Sequence, residues 1–424
     1  MLLALFFQAS VLAQNNAVVD QTYFSAPPTN FWNALLQTNR PLRVMWLGDS
    51  VGADTFTSME ANIAALRPVA GGSFFRGFPL YLVQFTGPWS QPDSGLWYQA
   101  PFRMFAGATS VWASNAPGGL VFADTLSVSY LGQAGDGSFR VEYSTNGSQW
   151  TVLEVVDASV GSGFTNRSYP LPRGSYQARL VSLGGGISNK VDILWVALTP
   201  NFMNAPQLMG MTRGGISFDN IVGVGSNSFC SMLRFAQPDL VVIEEKHDPF
   251  TYTNGQAEML AVWLKATAPA ADVVYVGSHV TAESSEPALT QGQNLWFRSF
   301  AMSHGWSYVD GFSQMSTWAE IMEHGWNADT VHLSAAGRKV MGDFLVAKLG
   351  LRPAVTRAER GELGALTLFG TAVPGLEVTL QMKSGLTAGV WQNVATNRAT
   401  NGTFTFTRGA SSSNQFYRVG AAVP

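Results

Sequence analysis

The chain has 424 residues, of which 46% are apolar and only 12% are charged. This balance excludes a disordered chain or a coiled coil, and the length is sufficient for two or three domains with large cores. The formal net charge is −3, so no electrostatic feature points to nucleic acid or an anionic membrane surface as a partner.

The first residues have the pattern of a signal peptide, which we place at residues 1–14. An apolar run from Leu2 to Ala13 ends in a small-residue site before Gln14 and is too short to span a bilayer. It lacks a basic region at its start, and a buried N-terminal helix is the alternative interpretation. The pattern predicts an exported protein, secreted or periplasmic, with no membrane span.

Two separated regions have the pattern of an α/β domain built on a parallel sheet. Short apolar runs at Leu42–Leu47, Asp239–Glu244 and Asp272–Gly277 predict buried strands. Helices are predicted at Asn30–Thr38, Ser58–Leu66, Phe229–Phe235, Ala257–Ala266, Gly292–Met302 and Ala335–Leu349. The predicted domain is discontinuous and covers residues 20–68 and 206–350.

The remaining regions alternate with the period of strands. Residues 69–205 predict an inserted β-sandwich, with a hairpin turn at Asn146-Gly147. Its predicted strands are Leu126–Tyr130, Phe139–Ser144, Trp150–Val155, Tyr176–Leu183 and Val191–Leu198. A charged linker is predicted over 351–362, followed by a small C-terminal β-module over 363–424.

The first candidate for chemistry is Ser50, in the tripeptide Gly48-Asp49-Ser50 directly after the first predicted strand. A serine at the carboxyl end of a parallel strand lies at the crevice where open α/β sheets bind ligands. Glycine permits the sharp turn that exposes the hydroxyl. Taken alone, the tripeptide is a weak signal, because an ordinary turn or a helix cap uses the same residues.

The second candidate is the pair Asp329 and His332, shortly before the last predicted helix of the α/β domain. A serine nucleophile needs a base, which His332 can supply, and Asp329 can accept a hydrogen bond from the other ring nitrogen. A helix-capping or core histidine is the alternative interpretation of His332.

Together, Gly-Asp-Ser after the first strand and Asp-x-x-His before the last helix resemble the SGNH (GDSL-type) hydrolases. The resemblance covers about residues 30–66 and 206–350. It implies a three-layer α/β/α fold with a parallel sheet, a catalytic triad of Ser50, His332 and Asp329, and no metal or organic cofactor. It also implies an oxyanion hole that includes the amide of Ser50.

Two further blocks of this family pattern bear on the oxyanion hole. Gly225, in the glycine turn that begins at Asn220, matches the family's backbone donor, although a plain helix-entry turn is the alternative. The family's asparagine block differs here, since His247 occupies the asparagine position and Glu245 the glycine position. His247 is therefore either a replacement oxyanion donor or a substrate-facing or surface residue. Losing one such donor costs about 2.7–4 kcal/mol of transition-state stabilisation.

The β regions suggest the substrate class. The insertion resembles carbohydrate-binding sandwiches, and its position is similar to that in bacterial peptidoglycan O-acetylesterases; a purely structural role is the alternative. The combination predicts an esterase that removes O-acyl groups, most simply acetyl, from a polysaccharide or peptidoglycan. The alternatives are a lipid or general carboxylester hydrolase, an acyltransferase, and a polysaccharide-binding protein with little activity. The sequence indicates no oligomeric state.

Overall fold

The structure is a computed structural model. It describes residues 20–25, 27–37, 39–66, 83–90, 102–112, 120–160, 163–185, 187–199, 206–212, 222–223, 226–244, 254–282, 287–361, 365–383, 390–409 and 415–422. The predicted signal peptide, residues 1–14, lies outside the described residues.

The centre of the molecule is a parallel sheet of five strands. These are β1 (Leu42–Gly48), β11 (Pro206–Thr212), β12 (Leu240–Glu244), β13 (Asp272–Val276) and β14 (Ser307–Val309). Their spatial order is β11-β1-β12-β13-β14, and every neighbouring pair is parallel. The chain order therefore reverses direction between β1 and β12, which is where sheets of this kind form a ligand crevice beyond the strand carboxyl ends.

Helices and apolar side chains cover both faces of this sheet. The helices are α1 (Thr29–Leu36), α2 (Ser50–Leu66), α3 (Ser226–Ala236), α4 (Asn254–Thr267), α5 (Pro287–Ser303), α6 (Gly311–Gln314), α7 (Trp318–Glu323) and α8 (Ala335–Lys348). Because side chains alternate along a strand, Met45 and Leu47 share one apolar core with α3, α4 and α5. Val44 and Trp46 share the other core with α1, α2 and α8.

An antiparallel region lies between α2 and β11 in the chain. Its strands are β2 (Val83–Thr86), β3 (Trp89–Ser90), β4 (Phe102–Phe105), β5 (Thr109–Trp112), β6 (Val121–Gly132), β7 (Ser138–Ser144), β8 (Thr151–Asp157), β9 (Gly163–Gly184) and β10 (Lys190–Thr199). The first part of β9 pairs with β6 and the last part with β5 and β7, so this long strand connects two sets of partners. Its apolar side chains belong to the same core as α3 and α4.

The chain ends in two small antiparallel sheets, β15-β16-β19 and β18-β17-β20. The bounds are β15 (Ala354–Arg360), β16 (Leu366–Thr371), β17 (Glu377–Lys383), β18 (Gln392–Arg398), β19 (Thr403–Arg408) and β20 (Phe416–Ala422). Their apolar residues join the core that contains α1 and α8. A parallel α/β core with added antiparallel sheets, as predicted, is therefore confirmed.

Two predictions from the sequence were wrong in detail. The predicted linker 351–362 contains strand β15, which pairs with β16 at the edge of its sheet. Its charged side chains face solvent, and charges on an exposed edge strand discourage pairing with other chains. The helix predicted from Ser58 begins at Ser50 instead.

Candidate active site

Ser50 lies where β1 ends and α2 begins, at the carboxyl edge of the parallel sheet. Asp49 is buried, and its Oδ1 accepts the backbone N–H groups of Val51 at 2.8 Å and Gly52 at 3.2 Å. This capping fixes the first turn of α2. Ser50 is the first residue of the helix and is partly exposed, so its backbone amide lies among the N–H groups that have no partner within the helix.

The turn that carries Ser50 packs directly against the end of β12. A Cβ atom on Gly48 would lie 1.8 Å from the backbone oxygen of Glu244, and one on Gly52 would lie 2.7 Å from the same oxygen. Atoms at such separations overlap, so both positions require glycine. The close approach fixes Ser50 at the boundary between β1 and β12, where the sheet order reverses.

Asp329 and His332 lie in a loop after α7 and before α8. The Nδ1 atom of His332 is 2.8 Å from Oδ2 of Asp329, as predicted from their spacing. Oδ1 of the same carboxylate accepts the backbone N–H groups of Val331 and His332, both at 2.7 Å. Because a carboxylate only accepts, Nδ1 carries the proton, and Nε2 of the neutral ring is the proton acceptor.

The hydrogen bonds to Asp329 also set its charge. The backbone N–H of His332, the ring of His332 and the backbone N–H of Val331 lower the pKa of the Asp329 carboxyl to about 2. The carboxylate is therefore ionised over the whole pH range in which a histidine can act as a base. It is 56% exposed, while the His332 side chain is 36% exposed, so the pair is open to solvent and to a substrate.

Asp54 joins this loop to the helix that begins at Ser50. Its Oδ2 accepts the backbone N–H of Leu333 at 2.9 Å, and its Oδ1 pairs with Nη1 of Arg338 at 3.0 Å. Residues four apart on a helix share a face, so Asp54 lies one turn below Ser50. Since Leu333 directly follows His332, these contacts bring the histidine to the first turns of α2.

The environment of Asp54 and Glu244 is low in polarity. Burial raises the pKa of the Asp54 carboxyl, against the opposing effects of the Leu333 amide, Arg338 and the charge of His332. Glu244 is fully buried, and burial likewise raises its pKa well above its ordinary range, with Asp49 and Asp54 adding to the effect. Its Oε1 accepts a hydrogen bond from the Thr55 hydroxyl at 2.9 Å.

The remaining predicted site residues, Gly225 and His247, lie outside the described residues, so the predicted oxyanion hole stays a prediction. The sequence analysis did not identify Asp54 or Glu244. The position of Asp54, four residues after Ser50, was a signal that could have been used. Among the described residues, no group of three or more His, Cys, Asp or Glu side chains is arranged to hold a metal ion. In the same part of the chain, no helix is both long and apolar enough to cross a bilayer.

The chain is similar in fold to a solved peptidoglycan O-acetylesterase, with a TM-score of 0.54 and 14% identity over 78% of this chain and 97% of that chain. This similarity confirms the predicted resemblance in layout, and at such identity it establishes the fold alone. Weaker matches, each with a TM-score of 0.28, include an acetylxylan esterase from Geobacillus stearothermophilus and a carbohydrate esterase family 2 enzyme from Corynascus thermopiles with a carbohydrate binding domain. The first has 14% identity over 34% of this chain and 73% of its own. The second has 11% identity over 63% of this chain and 98% of its own. No family model and no curated protein matches the sequence.

Proposed function

We propose that this protein is an exported serine esterase that removes O-acyl groups, principally O-acetyl, from a polysaccharide. The observation that carries the proposal is the hydrogen-bonded pair of Asp329 and His332, which Asp54 attaches to the helix that begins at Ser50. This arrangement fits a triad in which a serine, a histidine and an aspartate act together. We assign it to a three-layer α/β/α domain of the SGNH type, formed by residues 20–68 and 206–350.

The proposed reaction proceeds in two halves. Nε2 of His332 takes the proton of the Ser50 hydroxyl as its oxygen attacks the ester carbonyl. The negative charge on the carbonyl oxygen is stabilised by the amides of Ser50 and Gly225, with His247 as a third donor. His332 then gives its proton to the departing sugar oxygen, which leaves an acyl group on Ser50. A water molecule, deprotonated by His332, releases the acid and restores the serine.

The choice of a polysaccharide rests on three supports. The protein of similar fold is named as a peptidoglycan O-acetylesterase. The apolar segment at residues 1–14 predicts export to where such polymers occur. An antiparallel region is inserted within the proposed catalytic domain, and a C-terminal β-module follows it. Both are candidates for contacts with a polymer that is too long for a closed pocket.

The test is acetate release from a panel of O-acetylated polysaccharides, including peptidoglycan, by the purified chain and by Ser50→Ala. We expect the wild type to release acetate and the variant to lose at least about 10³-fold in rate. Ser299→Ala, which removes an exposed hydroxyl on α5, is the matched control and should retain wild-type activity. Equal turnover by wild type and Ser50→Ala would disprove the proposal.

A second comparison separates the proposed activity from its two enzymatic alternatives. Nitrophenyl acetate and nitrophenyl octanoate report the preferred acyl length, and we expect faster turnover of the acetate. Faster turnover of the octanoate would favour a lipid or general carboxylester hydrolase. Analysis of products with an added sugar acceptor distinguishes hydrolysis, which we expect, from transfer of the acyl group to the acceptor.

A further inference from the structure

A second buried histidine contacts the loop that carries Asp329 and His332. His279 follows β13 at the carboxyl edge of the sheet and is fully buried. Its Nε2 atom lies 3.1 Å from the backbone oxygen of Val331, the residue just before His332. Because a carbonyl oxygen only accepts, this hydrogen bond requires the proton on Nε2 of His279.

The segment around His279 is itself firmly held. The Ser278 amide donates to Oδ1 of Asn294 at 3.1 Å, and Nδ2 of Asn294 donates to the Ser278 oxygen at 2.9 Å. Asn294 is buried on α5, so these two bonds attach the segment to a helix that packs on the sheet. The position of the His279 ring is therefore set by the core of the domain.

The same segment makes a second bond to the loop. The backbone N–H of Ala282 donates to the oxygen of Thr330 at 2.8 Å. Two consecutive loop carbonyls, those of Thr330 and Val331, thus accept hydrogen bonds from residues that follow β13. The amide of Leu333 is bound by Asp54 on the other side. The loop is held between α2 and the end of β13 by directional bonds to its backbone.

We propose that His279 is a positioning residue for His332, an inference that rests on the proposed esterase function. The Asp329 carboxylate is 56% exposed and the His332 side chain 36% exposed, so hydrogen bonds contribute to the orientation of the imidazole. The bond from His279 fixes the peptide that joins Val331 to His332, and with it the direction in which the His332 ring leaves the backbone. His279 does not contact the substrate in this proposal. A misplacement of about 1 Å at a reacting group costs on the order of 10² in rate.

The test compares His279→Gln with His279→Met. Both side chains are long and unbranched, but only glutamine offers an N–H group that can reach the Val331 oxygen. We expect His279→Met to lower kcat for an acetyl ester by about 10–100-fold with KM within about twofold of wild type. We expect His279→Gln to recover kcat to within about threefold of wild type. His304→Gln, beyond the end of α5 at the opposite edge of the sheet, is the control and should be unchanged.

Each outcome bears on one of the two proposals. Wild-type kcat in His279→Met, or an equal loss in the methionine and glutamine variants, would overturn the positioning role while leaving the esterase intact. Turnover by Ser50→Ala equal to wild type would instead remove the proposed function itself. Histidine ¹⁵N chemical shifts of the wild-type protein provide a test that needs no variant to fold. These shifts should show that Nε2 of His279 carries a proton. An unprotonated Nε2 would overturn the inference.

Discussion

The two parts of the proposed triad are held in place by different physical means. The turn that carries Ser50 lies against buried neighbours, with Asp49 and Glu244 fully buried and the backbone of Gly48 in contact with that of β12. In the loop that carries Asp329 and His332, the Asp329 carboxylate is exposed. The loop is held by hydrogen bonds to its backbone and by the buried side chain of Leu333. The serine turn is fixed by close packing of its backbone, whereas the Asp329 and His332 side chains are oriented by directional polar contacts.

This difference has a consequence for substitutions. Changes at the packed turn should act mainly on folding, because any added atom must displace backbone. Changes at Asp329 or His332 should act mainly on activity, because these side chains are partly exposed and few buried contacts are lost there. Asp54 connects the two parts, since it lies on α2 and binds the amide of Leu333. The contrast can be tested by one substitution in each part and by a third at Glu244, the buried carboxyl against which the Ser50 turn packs.

The largest effect is expected for Asp329→Asn. Asparagine can still accept the backbone N–H groups of Val331 and His332, but its amide nitrogen would face Nδ1 of His332 and donate to it. The proton of the ring would then move to Nε2, which could no longer accept the proton of Ser50. We expect kcat/KM for an acetyl ester to fall by about 10³–10⁴-fold, with little change in the thermal midpoint of unfolding.

The control for this variant is Asp157→Asn. Asp157 is an exposed aspartate at the end of β8 that likewise accepts a backbone N–H, from Ser159 at 2.9 Å, but it belongs to the antiparallel region. It should retain wild-type activity. If Asp329→Asn kept more than about a tenth of the wild-type rate, the carboxylate would not orient His332, since correct tautomer and orientation are worth far more than that.

At the packed turn, Gly48→Ala should act on stability. The added Cβ would lie 1.8 Å from the Glu244 oxygen, so β12 or α2 must move. We expect the free energy of unfolding to fall by at least about 2 kcal/mol, measured by denaturant titration. Gly292→Ala, in α5 with open space around its Cβ, is the matched control and should gain up to about 1 kcal/mol. An equal, small effect of the two substitutions would contradict the close packing of the turn.

Much of the fold was predictable because its main strands are continuous apolar runs. Strands β1, β12 and β13 were located to within a residue or two, as were helices α1 and α8. Helices α3, α4 and α5 begin three to five residues earlier than predicted. Strand β14, which has only three residues, was missed because so short a run gives no clear period. Strand β15 was mistaken for a linker because its charged side chains at the edge of a sheet resemble those of an exposed connection.

The site was predictable only where its residues are close in sequence. Asp329 and His332 are three apart, and their spacing led directly to the hydrogen bond that the structure contains. The bond between Asp54 and Leu333, and the roles of Glu244 and His279, could not be predicted in this way, because the partners are distant in sequence. Asp54 and Leu333, for example, are 279 residues apart. Such contacts depend on how strands and helices pack, which local patterns do not encode.

The smallest expected effect concerns Glu244, the buried carboxyl at the end of β12. Burial raises the pKa of Glu244, with Asp49 and Asp54 adding to the shift, so the folded protein holds this proton more tightly than the unfolded chain. The stability that results is fully present below the ordinary pKa of a glutamate, and it is lost as pH rises toward the raised value. Glu244→Gln removes this titration, and its amide oxygen can still accept the hydrogen bond of Thr55.

We therefore expect Glu244→Gln to raise the thermal midpoint relative to wild type by more at pH 8 than at pH 5, with a difference of a few degrees. Differential scanning fluorimetry at the two pH values measures it. Glu377→Gln, on the exposed side of β17, is the control and should show no such dependence. If the thermal midpoints of Glu244→Gln and wild type differed by the same amount at both pH values, the Glu244 carboxyl would be solvated in the folded protein. Packing against β12 would then be looser than the contacts of Gly48 require, and the contrast between a packed serine turn and a hydrogen-bonded pair of Asp329 and His332 would be wrong.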